Sequence, residues 1–306
     1  MRLSTALTTA LLASFSLALA GCSSHDVETQ EVDTAVADAK PAIRYAISAI
    51  DVPDQWTKNQ AFAMNLDHDE RGSLDNKVGS LIEVSEMYLK SSLQAHVDDE
   101  LAAGRMNTII ELHSDGFGDQ LDVAVELRPA VREDVGLRPA AVPGPLQRIY
   151  GRLQGGRFIT RVPGQVWIEL AMFSGQPPLP VELIGARLEG RVGPEGLTEV
   201  RIGGAITSTH VERDFAPTLY QLVQARVALL GPADPDAMAL MQLFDTDKDR
   251  VIGLDEFIHS GTTQTLLRPD VDLADDSALP LFVPRPDGHR ESLSLGIEVS
   301  ATPLAF

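Results

Sequence analysis

From residue 107 onward, apolar side chains recur at every second position in short runs that glycine and proline interrupt: 108–112, 121–127, 148–153, 158–161, 165–173, 181–192 and 197–211. A strand points successive side chains to opposite faces, so a period of two bounded by turn residues specifies half-buried antiparallel strands. The clearest run sets Leu121, Val123, Val125 and Leu127 against Asp122, Ala124 and Glu126, and Ser114-Asp115-Gly116-Phe117-Gly118-Asp119 before it supplies turn chemistry. Many such strands at short intervals predict an antiparallel β-sandwich or barrel. The last run, 292–299, alternates again. As a terminal strand it is expected to rejoin that sheet, so the acidic stretch around residue 250 is carried on the sheet and is not a separate domain after it.

Helical spacing flanks the strand region. Ile43, Tyr45 and Ile47 alternate as one strand, and then Val78, Leu81, Ile82, Ser85 and Leu89 fall on one helical face. A second helix over 92–103 buries Leu93, Val97 and Leu101, with Gly104 placed to end it. Helix returns near Phe215 and runs through Leu222, Val223, Val227 and Leu230 until Gly231-Pro232 breaks it.

The densest chemistry lies in Asp245-Thr246-Asp247-Lys248-Asp249-Arg250-Val251-Ile252-Gly253-Leu254-Asp255-Glu256. Three carboxylates at alternate positions and a fourth at the twelfth suit Ca²⁺, a hard cation that takes 6–8 oxygen ligands at about 2.3–2.6 Å. Asp234-Pro235 starts a helix before the loop, with Ala237, Leu240, Met241 and Phe244 on one face, and another helix opens at Leu254. The stretch resembles an EF-hand over 234–261. That resemblance implies monodentate oxygens from Asp245, Asp247 and Asp249, the Val251 carbonyl and a bidentate Glu256, with water at the Gly253 vertex. It also implies that Ile252 packs inward and makes a short β contact with a partner loop. Arg250 stands where the family has Gly; the positive φ needed there costs a non-Gly residue about 1–2 kcal/mol, and a cation beside the site lowers its affinity.

EF-hands pair, which directs attention to an acidic loop at 65–76. Asn65, Asp67 and Asp69 stand at alternate positions and Asp75 and Asn76 close the loop, without a Glu at the twelfth place and with Gly72 two places late. Asn65, Asp67, Asp69 and Asp75 form a second calcium candidate, against which stands a polar turn whose Asp75 or Asn76 starts the next helix. A third group, Asp270, Asp272, Asp275 and Asp276, reads as a solvated loop. The expected fold is therefore α+β: mainly an antiparallel β-sandwich or barrel, with N-terminal helices and an inserted EF-hand helix-loop-helix.

The N-terminus constrains location. Met1-Arg2, a short apolar stretch and small residues give residues 1–21 the layout of a signal peptide. Leu19-Ala20-Gly21-Cys22 at its end resembles the lipobox of bacterial lipoproteins, and Cys22 is the chain's one cysteine. The resemblance implies lipidation of Cys22 and cleavage before it; two or three acyl chains hold a protein to a bilayer far better than one. Ser23 after the cysteine directs such a protein to the outer membrane of a Gram-negative bacterium. Residues 22–42 read as an acidic flexible tether, and 43–306 as the folded domain.

Charge and motif content narrow the function classes. A net charge of −19 repels phosphate backbones, so nucleic acid is excluded as a partner, while cations are favoured. No GxSxG or HExxH occurs, His25, His68, His96, His113, His210, His259 and His289 are scattered, and lipidation removes the cysteine nucleophile. Lipobox, acidic loop, Gly-rich strands, one EF-hand, the segment 266–273 and the Ser-Leu-Ser-Leu-Gly run from Ser292 together resemble uncharacterised exported lipoproteins of Gram-negative bacteria. The reading that follows is a membrane-anchored calcium-binding lipoprotein, leaning non-catalytic, in which calcium stabilises loops on a β-rich binding scaffold. Its rivals are a calcium-stabilised hydrolase and a cell-surface adhesion or partner-binding module.

Overall fold

Period-two runs become the strands of an antiparallel sheet: β1 (Ala42–Asp51), β2 (Thr108–His113), β3 (Leu121–Arg132), β4 (Leu137–Pro139), β5 (Ile149–Gln154), β6 (Arg157–Val162), β7 (Gly164–Leu170), β8 (Leu179–Gly193), β9 (Gly196–Thr207) and β10 (Ser292–Pro303). A computed structural model describes residues 32–68, 72–90, 92–134, 136–142, 144, 146–172, 177–273 and 289–304, and the compact unit begins at Val32. The signal peptide, Cys22, Asp69, Asp275 and Asp276 lie outside the described residues.

Strand order is β2-β1-β10-β9-β8-β6-β5-β3-β4, with β7 on β8. β2 also pairs with β3, from Thr108 opposite Pro129 to His113 opposite Ala124, so the path of neighbours returns to its start. The terminal strand does rejoin the sheet: β10 lies between β1 and β9, with Ser292 opposite Thr207 and Asp51 opposite Glu298. Everything from 208 to 291 is thus inserted between two neighbouring strands.

The described part of the insert is mainly helical. It holds the short turn α5 (Ser208–His210), a π-helical turn (Val211–Phe215), α6 (Ala216–Leu230), α7 (Pro235–Phe244), α8 (Leu254–His259) and α9 (Gly261–Leu266). The N-terminal helices are α1 (Thr34–Asp38), α2 (Trp56–Phe62), α3 (Lys77–Leu89) and α4 (Leu93–Ala102). One hydrophobic cluster runs from Tyr45 and Val123 on the strands to Leu81 on α3, Leu219 on α6, Phe244 on α7 and Phe257 on α8. Each such large side chain contributes about 1.5–3 kcal/mol on burial, which makes the insert part of the main core.

β10 shows why the insert returns where it does. Leu293, Leu295, Ile297 and Val299 fill the core face, while Ser292 and Ser294 are buried on the other. There the Ser294 hydroxyl accepts from Lys77 N at 2.7 Å and donates to Asp270 at 2.5 Å. Gly296 is required because a Cβ would strike the carbonyl oxygen of Phe62, at the end of α2.

Three expectations need correction. The tether is shorter than 22–42: Asp33 caps α1, Ala37 is fully buried, and Asp38 binds Arg148 at 2.7 Å. Composition missed α1 because, of its three apolar residues, it buries only Ala37, whose small size lets the helix lie close to β3. The run 197–211 stops as strand at Thr207, whose hydroxyl caps the following turn by accepting from His210 N. α2 also escaped the periodicity, since a seven-residue helix that buries only Asn59 and Phe62 carries too few apolar positions to set a period.

Candidate metal centre

Two helix ends create the loop. Asp234 caps α7 by accepting from Asp236 N at 2.8 Å, and Pro235 starts it with the fixed φ a first turn needs. α7 buries Ala237, Leu240 and Phe244; α8 buries Phe257, whose ring lies 4.9 Å from that of Phe244. The ring contact fixes the two helices across the intervening residues 245–253.

Within the loop, Asp245, Asp247 and Asp249 each bring a carboxylate oxygen within 4.8 Å of the others. Like charges at that distance repel by about 1 kcal/mol per pair even in water, so the arrangement favours a cation. Backbone amides orient each group: Asp245 Oδ2 accepts from Arg250 N at 3.0 Å, Asp247 Oδ1 from Asp249 N at 3.0 Å, and Asp249 Oδ1 from Val251 N at 2.7 Å. Asp245 Oδ1 is left buried without a hydrogen-bond partner. A buried anionic oxygen with no donor is unfavourable unless a ligand meets it.

Glu256 closes the loop from the far side. Its Oε2 accepts from Gly253 N at 3.0 Å, and its Oε1 accepts from Asp247 N and Thr246 N, each at 3.1 Å. These amides, Gly253 first and Asp247 next, hold its carboxyl below the usual carboxylate range. The three converging aspartates are oxygen donors of the kind a calcium ion takes, and Glu256 is held across the loop from them by the amides of Thr246, Asp247 and Gly253. Val251 turns its side chain to solvent, 61% exposed, and Ile252 turns inward. Arg250 adopts the left-handed conformation its position demands, at φ +75°, and Lys248 does so at φ +65°.

The expected β contact of Ile252 with a partner loop is replaced. The Ile252 carbonyl accepts from the Tyr220 hydroxyl at 3.1 Å and from Gln224 Nε2 at 2.6 Å, both on α6. Gln224 also donates to the Tyr220 oxygen at 3.2 Å. Two polar residues four apart on one helix face therefore brace this hand.

The stretch 65–76 has another geometry. Met64 and Asp75 form a β-bridge, and Asp75 Oδ2 accepts from Leu66 N at 2.9 Å. Asn76 caps α3 and grips β10: its Oδ1 accepts from Gly79 N and Gly296 N, and its Nδ2 donates to Gly296 O at 3.0 Å. Asp67 Oδ2 accepts from Asp272 N at 3.4 Å. Asn65 Oδ1 is buried without a partner. Met64 and Leu66 pack with Val271 and Leu273 in a second apolar cluster.

The third acidic group is not a solvated loop where it is described. Asp272 is buried, and Asp270 accepts from Ser294 N at 2.8 Å while burial raises its carboxyl. The reason is the bridge between Val271 and Ser292, which draws this segment onto β10.

One further donor group appears among the described residues: Glu111, His113 and Glu126, from adjacent strands. It already holds its cations. Arg128 Nη2 lies 3.6 Å from Glu111 and 3.2 Å from Glu126, with Arg44 2.7 Å from Glu111 and Arg148 3.4 Å from Glu126. Buried His210 also gathers polar groups, with Asp214 at 3.2 Å, Glu182 at 3.9 Å and the Trp167 ring edge-on at 5.7 Å. Sequence reading scattered the histidines because these partners come from different strands and from the π-helical turn.

No protein-family model, no curated protein and no solved structure matches the chain.

Proposed function

We propose that the chain is a membrane-anchored calcium-binding lipoprotein of non-catalytic function, with one calcium site in the loop 245–256. The observation that carries this reading is the convergence of Asp245, Asp247 and Asp249 around a buried carboxylate oxygen that has no donor. Asp245, Asp247 and Asp249 would each give one oxygen, Val251 its carbonyl and Glu256 its carboxylate. Calcium there neutralises the repelling charges and locks α7 to α8, so its effect passes through Phe244 and Phe257 into the core. Extracellular modules bind calcium at about 10⁻⁴–10⁻³ M, which suits a stabilising ion that is permanently in place.

The closed path of strand neighbours supports a barrel over a sandwich. Among the described residues no helix is long and apolar enough to cross a membrane, and the lipobox at Cys22 is the proposed anchor, with Ser23 favouring the outer membrane. His210 is hydrogen-bonded into the fold and buried, which favours a structural role over acid–base catalysis.

Thermal melting of the chain from Ser23, in millimolar calcium and in EGTA, tests the reading. At one- to tenfold excess over such a Kd, millimolar calcium adds about 0.4–1.4 kcal/mol of stability. The melting temperature should rise with calcium in the wild type and stay fixed in Asp245→Ala/Glu256→Gln; equal melting in both buffers refutes the site.

A further inference from the structure

The inserted helices and α3 enclose a cavity of about 430 Å³. α3 contributes Leu81 and Leu89, α6 contributes Leu219 and Val223, and α7 contributes Leu240 and Phe244. Among the described residues that line it none is charged; its polar side chains are the hydroxyls of Ser85, Tyr88, Thr262 and Thr265. Tyr88 and Leu243, also in the lining, are 46% and 37% exposed, which places the opening between α3 and α7. A separate, smaller space of about 30 Å³ shares Leu81, Ser85, Leu89 and Leu219 and is lined in addition by Glu86, His96, Met172 and Phe215.

We propose that this cavity binds the alkyl chain of a neutral amphiphile. The volume lies within the ordinary range for small ligands, about 300–1,000 Å³, and apolar side chains from α3, α6 and α7 line it as an alkyl chain requires. Charge decides the head group. With no cation in the lining and a net charge of −19, a carboxylate or phosphate head would be repelled and left without a counter-ion. The Tyr88 and Thr262 hydroxyls can donate to or accept from a neutral alcohol or ester, and Thr265, whose hydroxyl donates to Gly261 O at 2.8 Å, can still accept. Phe244 and Phe257, which calcium is proposed to hold together, also line the cavity, so the titration is repeated in calcium to separate the two sites.

The test is a fluorescence titration in EGTA of the chain from Ser23, which keeps the whole unit from Val32, with the neutral probe N-phenyl-1-naphthylamine. Saturable binding at one site is expected, with displacement by n-alcohols that tightens roughly fourfold per methylene from hexanol to decanol. Decanoate at pH 8 should displace at least tenfold more weakly than decanol. Thr265→Trp at the exposed rim and Ser85→Trp within should each weaken the probe at least tenfold with far-UV circular dichroism unchanged. Absence of saturable binding, binding untouched by both tryptophans, decanoate as effective as decanol, or displacement by an amphipathic helical peptide and not by decanol would overturn the proposal.

Discussion

The acidic loops at 245–256 and 65–76 look alike as strings of oxygen-bearing residues and differ in where those oxygens go. In 245–256 the carboxylates face one another at the surface, and Asp245 Oδ1 has no donor. In 65–76 the closing residues turn into the protein: Asp75 holds Leu66 N and Asn76 joins α3 to β10. Spacing alone marks both loops as calcium candidates. What separates them is direction: three carboxylates of 245–256 converge on one another, whereas Asp75 and Asn76 are engaged with Leu66 and with Gly296 of β10, the latter 220 residues further along the chain.

The sharpest way to break this contrast is to remove Asp75. Asp75→Ala leaves the Leu66 amide buried and unpaired, at a cost of about 2–3 kcal/mol in urea unfolding without calcium. Asp247→Ala, at an exposed carboxylate, should cost under about 0.5 kcal/mol under the same conditions. Equal costs would erase the distinction between a brace and a ligand loop.

Arg250→Gly sharpens the comparison from the other side. Relief of the left-handed strain at φ +75° should stabilise the loop by about 1 kcal/mol and tighten calcium roughly fivefold, as read by calorimetry. An unchanged affinity would mean that the loop does not need that conformation to bind. Tyr220→Phe removes one donor to the Ile252 carbonyl and leaves Gln224; it should cost about 0.5–1 kcal/mol, seen as a small fall in melting temperature.

The smallest effects are in pH dependence, where Glu256 of the 245–256 loop and Asp270 of the third acidic group run in opposite directions. Glu256 has a lowered pKa when folded, so its stabilisation is present above about pH 4.5 and is lost as pH falls through the folded value. Asp270 has a raised pKa, so its contribution is complete below about pH 3.8 and is lost as pH rises through the folded value. In melts across pH 3–6 in EGTA, the deficit of Glu256→Gln should shrink toward low pH, while Asp270→Asn should gain on the wild type as pH rises. Parallel curves for the two variants would contradict these assignments.

Much of the fold was legible because it rests on local periodicity. Leu121 to Leu127, Val78 to Leu89 and Ser292 to Val299 each announce their element and their buried face, and the terminal strand could be assigned to the sheet from alternation alone. The meeting of Asp245, Asp247 and Asp249 was legible for the same reason, since the three sit within five residues. The brace from Tyr220 and Gln224 to Ile252, the burial of Asp270 and Asp272 against Asp67 and Ser294, and the meeting of Glu111, His113 and Glu126 were not. Each joins residues from distant segments through single side chains, and no period in the sequence records such a contact. α1 was hidden for a different reason: one buried alanine and a capping aspartate give little hydrophobic signal.

The central claim is that the acids of 245–256 bind calcium and those of 65–76 hold the fold together. Calorimetric titration of calcium into the chain from Ser23 tests it most directly, with Asp245→Ala/Glu256→Gln and Asp67→Asn run alongside. The account predicts one calcium per chain in the wild type and in Asp67→Asn, and no binding in the double variant. Two calcium ions per wild-type chain, or one retained by the double variant, would contradict it.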